Sequence, residues 1–295
     1  MSELAVITPT YREDAEIFAD LHRSVLEFTP DDTVHNVVVP PRDRKLFARY
    51  QGARCRVWTS AELLPRRYLH LRLGRLESFI NARRPWPPVR GWVSQQAIKI
   101  AATARLDADV VLLADSDVVL VRPVHADRFL ADGQRSLYRD EKAVHEEMDR
   151  HLVWHQVARD LFGLPAAPPP PLADYVSPFN FWDPAVVRAM QQRISETTGK
   201  DWLDAFCAQL HISEFILYGV FVDEVLGTSA PRPPSDISVC HNYWERTPLD
   251  RDAALAFADR LEPNAVAMMI SAKSGTPADV RRVAIGRCAR IVKSG

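Results

Sequence analysis

Two aspartates one residue apart, Asp115 and Asp117, interrupt the apolar run Val110-Val111-Leu112-Leu113-Ala114-Asp115-Ser116-Asp117-Val118-Val119-Leu120-Val121. A run of this kind suits a strand buried on both faces of a parallel sheet, and ligands gather beyond the carboxyl ends of such strands. One intervening residue lets both carboxylates face a single hard cation, which prefers oxygen ligands and keeps positions for phosphate oxygens and water. Without a cation, two such acids repel. A metal-held diphosphate is the chemistry implied; a turn or helix cap with no metal is the alternative.

The elements that must carry these acids alternate. Leu4–Thr8 reads as a strand ended by Pro9, and Ile17, Phe18, Leu21, Val25 and Leu26 recur at helical spacing. Val34–Val39 is a second strand and Arg54–Trp58 a third, with a short helix over Asp43–Tyr50 between them. A helix over Trp92–Leu106 feeds the strand that ends at Asp115. Such alternation predicts an α/β fold with a mostly parallel central sheet. Beyond the acids, Val124–Leu130 and Glu141–Phe162 read as helical and Gln134–Tyr138 as a strand. The proline-rich run over 165–171 reads as a loop within one domain, and Tyr175–Trp182 resumes as a strand. Helices then dominate, at Pro184–Thr197, Asp201–Leu210, Glu214–Leu226 and Asp252–Leu261; a strand at Ala265–Ile270 and a helix near Asp279–Ile291 close the chain. One domain is expected over 1–295, with halves at 1–123 and 124–295 and the second half mainly helical.

Bulk composition narrows the function classes. Among 295 residues, 47% are hydrophobic and 25% charged, as in ordinary soluble enzymes. With 37 Lys plus Arg against 38 Asp plus Glu, nothing in the overall charge calls for a nucleic-acid partner. Basic clusters at Pro65-Arg66-Arg67 and Arg72–Arg84 read as solvated faces. The four cysteines, Cys55, Cys207, Cys240 and Cys288, are widely spaced, so reduced thiols are expected rather than a zinc site or disulfide scaffold. No secretion signal precedes Leu4 and no window is apolar enough to cross a bilayer, which makes a cytoplasmic protein the expectation.

The first-strand motif Ile7-Thr8-Pro9-Thr10-Tyr11, followed by the strand ending Asp115-Ser116-Asp117, resembles the GT-A glycosyltransferases. More narrowly, Gly91-Trp92-Val93-Ser94-Gln95-Gln96-Ala97-Ile98-Lys99 and Ser213-Glu214-Phe215-Ile216-Leu217-Tyr218-Gly219 resemble a bacterial, mostly uncharacterised glycosyltransferase-like family, over Leu4 to Ser274. The resemblance implies a GT-A-like fold whose first half binds a nucleotide sugar (UDP-, GDP- or dTDP-linked) and whose second half binds an acceptor bearing a hydroxyl. It also implies Mn²⁺ or Mg²⁺ between Asp117, Asp115 and the donor diphosphate. Such an ion stabilises the charge that grows on the leaving phosphate.

Further roles follow from the same resemblance. Thr8, Thr10 and Tyr11 would cup base and ribose, with turn chemistry at Pro9 as the other explanation. Gln95 and Lys99 lie one helical turn apart and can reach one pocket, where Lys99 would meet phosphate, or they share a solvated face. Lys273, beside Gly275, is a second phosphate candidate. His241 is the histidine expected to complete the metal shell. His151 and His155, near Glu147, have metal-ligand spacing but read as surface residues of a charged helix. Glu214 is the candidate base for inverting transfer; with Ser213 as N-cap, it is equally a favourable first-turn charge. Asp223 and Glu224 are weaker candidates. Phe179, Trp182, Tyr218, Tyr243 and Trp244 serve either as an acceptor platform or in the core.

Two other classes compete. The acid pair also resembles the nucleophile loop of haloacid dehalogenase phosphatases, with Asp115 attacking phosphate, but that loop normally follows the first strand of its domain and needs a later acidic pair. A non-catalytic module that holds a sugar nucleotide is the third reading.

Overall fold

The computed structural model describes residues 3–73, 76–131, 134–135, 137–227, 234–235 and 238–294. In chain order, β1 (Leu4–Pro9) leads into α1 (Ala15–Phe28), β2 (Val34–Val39), α2 (Arg44–Phe47), β3 (Cys55–Thr59) and α3 (Ser60–Leu63). Three strands follow, β4 (Tyr68–Leu73), β5 (Leu76–Asn81) and β6 (Arg84–Val89), before α4 (Gly91–Ala104), β7 (Val110–Ala114) and β8 (Val118–Leu120). The short β9 (Leu130–Ala131), β10 (Gln134–Arg135) and β11 (Leu137–Tyr138) precede β12 (Asp140–Val144), α5 (Asp149–Phe162), β13 (Leu172–Asp174) and β14 (Phe179–Trp182). Then come α6 (Pro184–Thr198), α7 (Trp202–Cys207), α8 (Glu214–Val220), β15 (Pro234–Ser235), β16 (Cys240–Tyr243), α9 (Arg251–Asp259), β17 (Ala267–Ile270) and α10 (Ala278–Ser294).

The central sheet runs β14-β7-β1-β2-β3 and is parallel except for β14. Its strands are apolar on both faces because both faces are covered. Ala5, Ile7, Val111 and Leu113 enter one core with α4 to α8, while Leu4, Val6, Val110 and Leu112 enter the other with Phe18, Leu21 and Val25 of α1. The expected α/β fold, a mostly parallel central sheet flanked by helices with a largely helical second half, is therefore present. Parallel pairing brings the carboxyl ends of β1, β2, β3 and β7 to one edge, where Pro9, Val39, Thr59 and Ala114 hand over to loops.

A second sheet, β16-β17-β8, continues from that edge, with β8 antiparallel to β17. Strands from the second half thus pair directly with β7 and β8 on either side of the acids. On its outer face α9 and α10 bury Phe257, Ala284 and Cys288 against Met268 and Ile270. All four cysteines are free thiols.

The basic segment after Pro65 forms an antiparallel meander, β4-β5-β6, on which Arg66, Arg83 and Arg84 are exposed to solvent. Three expectations change. The region read as one helix from Glu141 divides: Asp140–Val144 pairs with β13, and the helix starts at Asp149. Pairing overrides the helix preference of Glu, Lys and Ala there. Packing of that hairpin also buries His155, 3% exposed, whose Nε2 donates to the Ala173 carbonyl at 2.8 Å, so it is no surface residue. Val124–Leu130 contributes only a 3₁₀ turn, Ala126–Phe129.

Candidate active site

Asp115 and Asp117 flank the tight turn between β7 and β8, closed by the Val118 N–H donating to the Asp115 carbonyl at 3.1 Å. Ser116 Oγ donates to the Pro9 carbonyl at 3.3 Å, which fastens this turn to the end of β1. Asp117 Oδ2 accepts from the Ala272 N–H at 2.6 Å, which brings in the loop after β17. Burial and the neighbouring charge of Asp115 push the Asp117 carboxyl up to about 6, against the Ala272 N–H and the Arg281 guanidinium. Asp14, just before α1, is the third acid here: burial and then the Asp117 charge raise it to about 6. Carboxylates held this far above their ordinary range form a site short of positive charge.

Lys99 supplies some of it. Its ammonium lies 2.9 Å from Asp115 Oδ1 and 3.0 Å from Glu214 Oε1, and 4.8 Å from the Phe215 ring centroid. Burial opposes its charge, but the two carboxylates outweigh burial and raise its pKa. Glu214 is equally enclosed, with its side chain 3% exposed; burial raises its pKa and Lys99 counters. Glu214 is the counter-ion of Lys99. Ser213 is the N-cap of α8, its hydroxyl accepting from the Ile216 N–H at 3.4 Å, and the Glu214 N–H donates to Gln96 Oε1 at 2.8 Å. The capping reading and a charged role thus coexist at this helix start.

A cleft of about 440 Å³ opens beside these acids, lined by Thr10, Tyr11, Ser94 and Gln95, with His70 and Phe79 of the meander on the far wall. Thr10 is 3% exposed and its Oγ1 has no hydrogen-bond partner, a cost that a polar ligand atom would remove. Thr8 lies apart from this lining: it is fully buried, with its hydroxyl bonded to His35 Nε2 at 2.9 Å. Thr8 still lies within β1 and faces the α1 core, whereas Thr10 and Tyr11 follow the end of the strand at Pro9 and turn to the cleft.

His241 also points elsewhere. Its ring stacks on Phe257 at 4.2 Å and its Nε2 donates to the Phe257 carbonyl at 2.9 Å. Alternation along β16 then places Cys240 and Asn242 on the opposite face, where the Asp117 charge adds to burial in raising the Cys240 thiol. Asn242 pairs with Met269, and Met269 with Val118, so Asn242 is two residues nearer to the Asp117 end than Cys240. Its Oδ1 is buried without a partner. Lys273 follows the Ala272 clamp, and its ammonium sits 5.7 Å over the Trp92 ring. Phe179, Trp182 and Tyr218 are core residues, whereas Trp244 is 54% exposed. Asp223 accepts from Tyr175 Oη and pairs with Arg139, and Glu224 pairs with Arg159.

A family model described as "Family of unknown function (DUF6492)" matches residues 4–228. The chain belongs to this family. The site residues named so far from Thr8 to Glu224 fall within the matched span, whereas those of β16, the loop of Ala272 and Lys273, and Arg281 lie beyond it. No curated protein matches. Among solved structures the chain is similar to mouse xyloside xylosyltransferase 1 in its apo form, at 14% identity and a TM-score of 0.47, covering 93% of this chain and 99% of that one. It is also similar to an active-site mutant of LgtC, at 12% identity and a TM-score of 0.45, covering 98% and 95%. The galactosyltransferase LgtC in complex with donor and acceptor sugar analogues gives 12% identity and 0.44, covering 95% of each chain.

Two charged site residues escape a reading of the sequence, as does Asn242. Asp14 in Arg12-Glu13-Asp14 looks like any favourable helix-start charge. Arg281, 6% exposed, is buried with the charges of Asp117, Asp14 and Asp20 around it, yet in the sequence it is one of several arginines on a C-terminal amphipathic helix.

Proposed function

We propose that this protein is a glycosyltransferase that moves a sugar from a nucleoside diphosphate donor to an acceptor hydroxyl. One observation carries the proposal: Asp115, Asp117 and Asp14 converge at the carboxyl edge of a parallel sheet, next to a cleft of about 440 Å³ that contains a buried, unpartnered Thr10 hydroxyl. Thr10, Tyr11 and Gln95 are the residues we assign to the nucleoside.

The donor set suits a divalent ion, Mn²⁺ or Mg²⁺. A carboxyl raised by burial and then by the charge of its acidic neighbour, together with a buried carboxamide oxygen that has no partner, is what an oxygen-seeking cation satisfies. Asp115, Asp117 and Asn242 would hold it, Asn242 in place of His241. When bound, it would offset the negative charge that grows on the departing diphosphate.

The chain's own residues do the rest. Lys99 fixes Asp115 through one oxygen, and Glu214 holds Lys99 charged and aimed. Lys273, which has no ion-pair partner among the described residues, is free to meet a phosphate. The rim of Trp92, 42% exposed with its Nε1 donating to the Ile212 carbonyl at 3.2 Å, joins the Lys273 loop to the Glu214 helix. An acceptor would enter across it.

No observation favours the phosphatase reading: the acid that closes the neighbouring β14, Asp183, is used as the N-cap of α6, accepting from the Ala185 N–H at 2.8 Å. The test is a thermal-shift and turnover screen of UDP, GDP and dTDP sugars with and without Mn²⁺. A donor response that requires Mn²⁺ is expected, lost in Asp117→Ala and Asn242→Ala but kept in His241→Ala. A response unchanged in Asp117→Ala would end the proposal, and binding without nucleoside diphosphate release would leave a sugar-nucleotide module.

A further inference from the structure

The meander β4–β6 carries features that the transfer site does not use. Trp86 on β6 is 79% exposed, and Leu69 on β4 is 56% exposed. Trp86 is the most exposed of the large apolar side chains among the described residues, well ahead of Trp92 at 42% and Trp244 at 54%. It stands between Pro85 and Pro87-Pro88, which stiffen the backbone on either side of it. Water is a poor surrounding for an indole; a ring this exposed on a stiff strand marks a contact surface.

Charge identifies the surface it fits. From Pro65 to Arg90 the chain has seven arginines and one glutamate, although the whole protein carries a net charge of only −1. Arg67 and Arg83 are tied to Asp204, at 2.9 and 3.5 Å, and help fasten the meander to α7. Arg66 and Arg84 are exposed and have no ion-pair partner among the described residues. An exposed tryptophan flanked by proline and unpaired arginine matches the boundary of an anionic bilayer. There indole settles at headgroup depth and guanidinium meets lipid phosphate. No helix among the described residues is long and apolar enough to cross a membrane, so contact of this kind would be superficial.

We propose that the β4–β6 meander docks on an anionic phospholipid surface through Trp86, Arg66 and Arg84. The inner side of the same meander puts His70 and Phe79 into the cleft wall, so docking would set the cleft against the headgroups. None of this depends on the transfer reaction.

Vesicle flotation tests it, with phosphatidylcholine alone and with phosphatidylglycerol mixed in. The intact protein should float with the anionic vesicles, remain behind with the neutral ones, and detach as salt is raised. Arg66→Gln and Arg84→Gln should each weaken binding about fivefold. Trp86→Ala should weaken it further, whereas Trp244→Ala should leave it unchanged. Melting temperatures equal to the parent's would confirm that these exposed substitutions leave the fold intact. Failure to bind anionic vesicles would overturn the proposal and leave a protein partner for this patch. Equal binding by Trp86→Ala and by the arginine variants, or by neutral vesicles, would overturn it too.

Discussion

Glu214 has two possible identities, and its partners choose between them. A general base must touch the acceptor hydroxyl, whereas the Glu214 side chain is 3% exposed and its Oε1 lies 3.0 Å from Lys99 Nζ. The chain Glu214–Lys99–Asp115 alternates in charge, so each group orients the next, as outer residues around a metal ligand do. Glu214→Gln keeps the shape and one acceptor oxygen but removes the charge. We expect Mn²⁺ or donor affinity to fall by roughly tenfold while the pH profile of turnover keeps its shape. Isothermal titration and a pH–rate series measure the two. Loss of one limb of the profile, with affinity intact, would instead make Glu214 the base. His241 teaches a similar lesson. Its residue type invites a metal role, yet the period of two along β16 turns it to Phe257 and puts Asn242 on the opposite face.

At the scale of elements, α8 is held by an unusually close approach. A Cβ added to Gly219 would lie 2.1 Å from the Tyr175 ring, and that ring cannot retreat easily because its hydroxyl donates to Asp223 at 2.6 Å. Arg139 Nε fixes the same carboxylate at 2.8 Å. Gly219→Ala should therefore destabilise the fold by about 1–3 kcal/mol. Its chemical-denaturation midpoint should fall, and Tyr175→Leu in the same chain should recover part of the loss. An unchanged midpoint would show that the ring yields freely. Legibility varied among the elements for identifiable reasons. Strands β1, β2 and β7 were plain because burial on both faces demands unbroken apolar runs such as Val110–Ala114. The meander was hidden because Arg84-Pro85-Trp86-Pro87-Pro88 has neither alternation nor strand composition. It becomes a strand only through pairing with β5 and the clasp of Arg67, Tyr68 and Asn81 on Asp204. Likewise Asp14 and Arg281 belong to the site only after α1 and α10 have packed, so no local pattern announces them.

Across the whole molecule, the concentration of unneutralised acid at one sheet edge should be visible in stability. Asp14 and Asp117 have folded pKa values raised from 3.8 to about 6. Between those values the folded state holds more protons than the unfolded state, so these two groups make the protein more stable as pH falls through about 6 towards 3.8. Above that window both are ionised and their full penalty is present. Carboxylates elsewhere act the other way. Although burial opposes it, the hydroxyl and guanidinium partners of Asp204 hold its pKa below the ordinary value, so its contribution is lost on acidification. A bare melting curve therefore mixes both signs, and a variant is needed to separate them. Asp117→Asn should melt above the parent at neutral pH without metal, with the lead fading as pH drops below about 6. Adding Mn²⁺ should reverse the order, because binding favours the ionised acids of the parent and has one carboxylate fewer to hold in the variant. A parent at least as stable as Asp117→Asn in metal-free neutral buffer would mean that the acid cluster is already balanced by Lys99 and Arg281, and that the edge of the sheet has no deficit for a cation to fill.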